Sequence, residues 1–442
     1  MMRRRRDSAS ALLIVYFLFI IAVGTLLLWI DGRQAIDGGV SFVDALFTAT
    51  SAACVTGLYT INTPEWSLFG QLVILFLIQA GGLGIILFSS LFVVQLAGKM
   101  SFRRRRLIRE YYVSDVETEP KRIIRNILIF TFGAELIGAA VLAAVLASRG
   151  APRPVFSGLF HAVSAFCNAG FSIYTDSLEG FVGAPGVYVT VALLIVLGGL
   201  GFVTIHDLTR FARKRRRHLS YHSKIVLLGT AFLIVAGAGA YLFLDSANGL
   251  GDLRWGRRIG AAFFQSVTTR TAGFNTVPQG ELSLPSLVLT MALMVTGGAP
   301  ASIAGGVKLT TMVVVLVSAI SGTDAEGAVR FLGRKIPGDT VRRANAFVLK
   351  ALLLLTGAVI LLSAFERANP ADFSQLLFEA VSAFGTVGLS TGITPTLSVP
   401  GKLVIILTMF AGRIGLITFV LPRGIRRPGP PVDYPRGTLL IG

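Results

Sequence analysis

Apolar runs of roughly 20 residues, the length that crosses the hydrocarbon core of a bilayer, recur along this chain and come in pairs. They lie near residues 11–29 and 68–96, 123–146 and 187–208, 225–244 and 284–320, and 346–365 and 403–420. The pattern predicts an all-α polytopic membrane protein with eight spanning helices. Between the members of each pair runs a shorter stretch, too apolar for a surface loop and too short to cross. In each of these a phenylalanine stands ten residues before a glycine: Phe47 and Gly57, Phe160 and Gly170, Phe263 and Gly273, Phe378 and Gly388. The glycines are 113, 103 and 115 residues apart, so one unit is written four times.

Each unit reads as outer helix, pore helix, filter and inner helix, and four copies predict a pseudo-fourfold ring around one pore. The units are 1–99, 100–217, 218–335 and 336–427, with a tail over 428–442. In the first, residues 41–52 enter the membrane as a short helix, and Cys54, Val55, Thr56 and Gly57 return as an extended strand. The matching strands are Cys167, Asn168, Ala169 and Gly170; then Arg270, Thr271, Ala272 and Gly273; then Gly385, Thr386, Val387 and Gly388. A helix C-terminus carries partial negative charge and favours a cation. Glycine lets backbone carbonyls replace the hydration shell of that cation with no side chain in the way. Such irregular backbone is tolerable at membrane depth only where protein buries it or it lines a wet cavity.

Composition agrees with a membrane protein, at 53% hydrophobic and 14% charged residues. The formal net charge of +18 would by itself suggest a nucleic-acid partner. Most of the 41 Lys and Arg, however, fall before the first helix, between units or after the last helix. The basic runs at 103–106 and 213–217 alternate with membrane helices, which is the distribution that positive-inside topology requires. Charge therefore predicts cytoplasmic termini, re-entrant stretches at the outer face of the cytoplasmic membrane, and no nucleic acid. The first run follows Arg3 to Arg6 but is too long for a signal h-region, and no small-residue cleavage site follows, so it reads as a retained helix. Cys54 and Cys167 each stand three residues before a filter glycine and read as small apolar side chains rather than a disulfide or zinc site. No metal-ligand cluster, nucleophile with a base, or phosphate loop is visible, and no enzyme is expected.

Together with the repeats, the stretches DALFTATSAACVTGL, TRTAGFNTV and GGAPASIAGGVKLTT resemble the Trk/Ktr/HKT potassium transporter superfamily, over essentially the whole chain. With no extra amino-terminal helix pair, the chain is most similar to the Ktr-type membrane subunit. The resemblance implies potassium uptake, with sodium as a coupling or activating ion. It also implies a homodimer with one pore per protomer, a cytoplasmic nucleotide-binding regulatory ring of the RCK type, and no organic cofactor. Some superfamily members carry serine at the unit-one filter glycine, a difference linked to sodium preference. Gly57 therefore implies potassium over sodium.

The inner helices carry candidate gate residues. A glycine stands 24 residues past the filter glycine in units one, three and four, and 28 past it in unit two: Gly81, Gly297, Gly412 and Gly198. Unit three opens there into Gly297, Gly298, Ala299, Pro300, Ala301, Ser302, Ile303, Ala304, Gly305 and Gly306. Four glycines and a proline within ten residues cannot hold a regular helix, so a loop must interrupt the inner helix below the filter. By resemblance it is an intramembrane gating loop. Arg413 occupies a position that is glycine in the other units, between apolar runs, and Lys308 follows the loop. A charge at that depth is costly and marks function by default. Arg413 reads as an electrostatic barrier that also anchors the loop, or alternatively as the ion-pair partner of Glu135. His161 and Glu379 directly follow the repeat phenylalanine, where Thr48 and Phe264 stand in the other units, and would orient pore helices. His206 and Asp207 read as solvated. The rival class, an alternating-access secondary transporter of another cation or small solute, fits less well, because an even number of spans per unit gives every copy the same orientation.

Overall fold

The computed structural model describes residues 2–36, 38–98, 120–214, 218–245, 249–251 and 253–415. The basic runs at 103–106 and 215–217, the end of the last apolar run and the tail 428–442 lie outside the described residues. The described chain is mostly helical. Unit one supplies α1 (Met2–Ala35), α2 (Phe42–Ala53) and α3 (Leu68–Gly98). Unit two supplies α4 (Pro120–Ser148), α5 (Pro154–Phe166), α6 (Pro185–Gly199) and α7 (Phe202–Ala212). Unit three supplies α8 (Tyr221–Leu244), α9 (Trp255–Thr268), α10 (Leu284–Val295) and α11 (Leu309–Ser321). Unit four supplies α12 (Gly338–Phe365), α13 (Phe373–Gly385) and α14 (Val399–Phe410), which runs into a π-helical turn at Ala411–Gly415. A two-residue turn joins β1 (Val329–Phe331) to β2 (Arg334–Ile336) in a hairpin between units three and four.

Among the described residues α1, α3, α4, α8 and α12 are long and apolar enough to cross a membrane, and α6 with α7 makes a sixth candidate bent by 104°. The bend corrects the continuous helix expected over 187–208. The run 284–320 is interrupted, as its glycines require, between α10 and α11.

Side-chain chemistry sets where the inner helices start. Ser67, Ser283 and Ser398 directly precede α3, α10 and α14, and each is tied to an acid at the end of the preceding outer helix. Ser67 donates to Asp31, the Ser283 amide donates to Asp245 at 2.8 Å, and the Ser398 amide donates to Glu366 at 2.9 Å. The Ser283 and Ser398 hydroxyls also accept an amide of the helix they open, at 3.4 and 3.2 Å. A helix N-terminus has orphan N–H groups, so an acid beside the cap serves both the groups and the dipole.

The units pack in cyclic order: α3 against α5, α6 against α9, α10 against α13, and α14 against α2. The last contact joins the two ends of the chain. Lys402 on α14 pairs with Asp44 on α2 at 2.7 Å, with both side chains largely shielded.

Candidate ion pathway

Each short helix ends in the same backbone device. At its C-terminus the chain turns through a left-handed residue, Val55, Asn168, Thr271 or Thr386, two residues before the repeat glycine. The glycines also have positive φ: 101° at Gly57, 70° at Gly170, 77° at Gly273 and 95° at Gly388. In units one, two and four the next amide reaches back to a carbonyl five residues earlier. Thr56 donates to Ser51 at 2.8 Å, Ala169 to Ser164 at 2.7 Å, and Val387 to Ser382 at 2.9 Å. This is Schellman capping, and it corrects the extended strands expected here: the chain folds over its own helix end before reaching the glycine. A left-handed β-branched residue is strained by roughly 1–2 kcal/mol, and such strain persists where the surroundings over-determine it.

The four glycines meet. A methyl group on Gly57 would collide with the Ala169 carbonyl oxygen, on Gly170 with that of Ala272, on Gly273 with that of Val387, and on Gly388 with that of Thr56. The carbonyl preceding each glycine thus abuts a neighbouring unit's glycine, and the four contacts close on themselves. All four glycines line one cavity of about 370 Å³, which Tyr59 and Glu179 also border. Behind them, Gly81, Gly198 and Gly412 make room for carbonyls at the ends of the short helices, those of Ala53, Phe166 and Phe384, which any Cβ there would strike. Gly297 instead faces the carbonyl of Gly305.

The third unit is one residue shorter than its glycine spacing suggests. Phe47, Phe160 and Phe378 are wholly buried, and in unit three the wholly buried ring is Phe264, with Phe263 only partly so. Thr268 donates its hydroxyl to the Phe274 carbonyl at 2.8 Å, as Ser164 does to Phe171 at 2.8 Å. Register therefore makes Phe264 the repeat phenylalanine. The polar position after it, assigned to Phe264 by spacing alone, belongs to Gln265.

The loop 296–308 lies between units two and four. Its Gly297 amide donates to Val307 at 2.9 Å and closes the loop's neck. The Ala299 and Ile303 amides donate to the carbonyls of Gly199 and Gly198 at 2.9 and 3.3 Å, and the Phe202 amide donates to Ala301 at 3.0 Å. The loop thereby satisfies the backbone groups that the 104° bend would orphan. On its other side Arg413, 3% exposed, donates from Nη1 to the Ile303 carbonyl. Lys308 Nζ donates to the Ala304 carbonyl at 2.5 Å. The Arg413 Nε and Nη2 atoms have no partner among the described residues.

Glu135 is bound elsewhere: Gln79 donates to it at 3.2 Å, and the Cys167 thiol lies 3.8 Å from its Oε1. The structure thus favours Arg413 as loop anchor over an Arg413–Glu135 ion pair. Asp207, expected to be solvated, is fully buried and accepts the Ser220 amide at 2.7 Å. Spacing could not have revealed the serine–acid clamps at the inner-helix starts. Their only trace is a serine before three of the apolar runs and an acid at the end of the run preceding each.

The profile of the cation transport protein family TrkH matches residues 3–431. The chain belongs to this family. It is 35% identical to the Ktr system potassium uptake protein B of Vibrio alginolyticus, over 99% of this chain and 97% of the relative. It is 36% identical to the protein of that name in Bacillus subtilis, over 99% and 97%, and 36% identical to the potassium/sodium uptake protein NtpJ of Enterococcus hirae, over 99% and 98%. Among solved structures, the potassium transporter TrkH from Vibrio parahaemolyticus superposes with a TM-score of 0.68 at 18% identity, covering 91% of this chain and 83% of that one. The chain is accordingly a membrane transporter of the cation transport class and not an enzyme.

Proposed function

We propose that this protein carries potassium into the cell across the cytoplasmic membrane, through a channel-like pore on the pseudo-fourfold axis of four helix, pore-helix and helix units with eight spans. The observation that carries the reading is the closed cycle of carbonyls from Thr56, Ala169, Ala272 and Val387 against four glycines. A dehydrated monovalent cation needs such oxygens, and the helix ends behind them add negative potential. The potassium uptake named for the Vibrio and Bacillus relatives agrees with it. The loop 296–308, held by Arg413 and Lys308, is the gate below this filter. Both termini are cytoplasmic, by the charge distribution.

The Ktr-type relatives are named as parts of a system, which supports a second subunit here, a cytoplasmic nucleotide-binding ring acting on a homodimer of this chain. Sodium enters as a coupling or activating ion, in keeping with the potassium/sodium name of the Enterococcus relative. Rubidium uptake by proteoliposomes of the purified chain, with and without sodium, tests the whole reading. Selective uptake of rubidium over sodium is expected, and folded protein that passes neither ion refutes it.

A further inference from the structure

The residue that follows the buried phenylalanine is polar in all four pore helices: Thr48, His161, Gln265 and Glu379, each at most 2% exposed. Three of the four reach the segment that leaves the filter, and they reach it two or six residues past the filter glycine. His161 Nδ1 lies 2.7 Å from the Ser157 carbonyl. A carbonyl can only accept, so Nδ1 carries the proton and Nε2 accepts the Ser172 hydroxyl at 2.8 Å. Gln265 and Gln279 exchange amide hydrogen bonds at 2.6 and 3.2 Å. Glu379 Oε1 accepts both available positions at once, the Ser390 hydroxyl at 2.8 Å and that of Thr394. Thr48 Oγ1 has no partner among the described residues, so unit one lacks the pin.

Glu379 differs from the other three in kind. It is the one acid of the set, it is wholly buried, and it holds the exit segment at two points where His161 and Gln265 each hold it at one and Thr48 at none. Its Oε2 has no partner among the described residues. The Gly388 amide is meanwhile fixed from the helix side, donating to the Ser382 hydroxyl at 3.1 Å. The segment around Gly388 is thus clamped at both ends to α13. Selectivity between two monovalent cations depends on where the ring carbonyls can stand, and a segment free to shift would admit the smaller ion.

We propose that Glu379 is a positioning residue for ion discrimination, pinning the segment after Gly388 to the pore helix so that the Val387 carbonyl keeps its place beside Gly273. This rests on the reading of the four glycines as an ion filter. It adds that selectivity is set from behind the filter, and asymmetrically, by unit four.

The test measures rubidium and sodium uptake by proteoliposomes of the full chain. Glu379→Leu removes the acceptor, Glu379→Gln keeps an oxygen at the same point, and the pair Ser390→Ala with Thr394→Val removes the donors from the opposite side. Glu379→Leu and the donor pair should each lower the rubidium-to-sodium ratio about tenfold, while Glu379→Gln holds it within about twofold of wild type. If Glu379→Leu fails to fold, the donor pair decides. A wild-type ratio in the folded donor pair overturns the proposal, as does loss of the ratio in Glu379→Gln equal to that in Glu379→Leu, because charge rather than position would then matter. Wild-type vesicles run alongside separate the two levels: wild-type uptake with unaltered variants sinks the pin alone, and absent wild-type uptake sinks the filter reading and the pin with it.

Discussion

Replacing Arg413 with alanine should speed transport without destabilising the protein. Two effects of the arginine act in the same direction on flux. Its Nη1 holds the tip of the loop through the Ile303 carbonyl, and a hydrogen bond from a charged donor contributes about 1.5–3 kcal/mol. Its charge also repels a passing cation, by about 2 kcal/mol at a separation of about 8 Å and an effective dielectric near about 20. Either alone is worth about 10- to 100-fold in rate or open population, and the two do not add, because another step becomes limiting. The stability side lacks the penalty of the usual buried-charge deletion. Removing one member of a buried ion pair strands the other, at about 3–5 kcal/mol. Here the candidate partner, Glu135, is already held by Gln79 and Cys167, so nothing charged is stranded. The assay is rubidium uptake per folded protein in proteoliposomes without any cytoplasmic partner, together with a thermal unfolding midpoint. Arg413→Lys serves as control, since it keeps the charge but shortens the reach to Ile303, and should raise flux less than alanine does. A stable Arg413→Ala protein with wild-type flux would refute both latch and barrier, and a large drop in midpoint would restore the structural reading.

Three further outcomes are expected. Gly57→Ser should lower the potassium-to-sodium ratio, because at φ 101° any side chain is strained and its Cβ would strike the Ala169 carbonyl; an unchanged ratio removes unit one from the filter. Deleting residues 299–304 should raise partner-independent rubidium flux, because it takes away both the steric block and the carbonyl that Arg413 holds; unchanged or lower flux in folded protein counts against the gate. Glu179, in the loop past Gly170, has its carboxyl raised to about 7 by burial and then by the charges of Asp176 and Glu281. Its charge is therefore present above about pH 7 and lost below it, so acidifying the outer side from about pH 8 to about pH 6 should raise the KM for rubidium with Vmax unchanged. Glu179→Gln should abolish that pH dependence, and a response that survives the substitution assigns it elsewhere.

Much of this architecture was legible because membrane helices and tight backbone contacts write themselves into composition. The apolar runs had to be about one bilayer long, and the four repeat glycines had to lack side chains because a neighbouring carbonyl occupies the space. Two kinds of information were not local and so were not legible. One is register. Two adjacent phenylalanines in unit three let Phe263 satisfy the spacing to Gly273 while Phe264 fills the buried site, and only burial and the Thr268 hydrogen bond, both tertiary, distinguish them. The other is conformation imposed from outside the segment. The tetrapeptide Gly-Gly-Leu-Gly occurs twice, at 81–84 and at 198–201. In unit one it stays inside α3, and in unit two the helix breaks there and Gly201 takes φ 76°.

The sequences of the two segments are identical, so propensity cannot explain the difference. The amides of Ala299 and Ile303 and the carbonyl of Ala301 reach the second copy, and those three groups come from unit three. A helix break costs its unsatisfied backbone groups unless another segment supplies partners, and in a membrane water does not. The bend in unit two and the loop in unit three are therefore one structure, each supplying the hydrogen bonds that make the other tolerable. Any movement of the loop that opens the pathway must release those bonds, and α7 on the far side of the bend must respond.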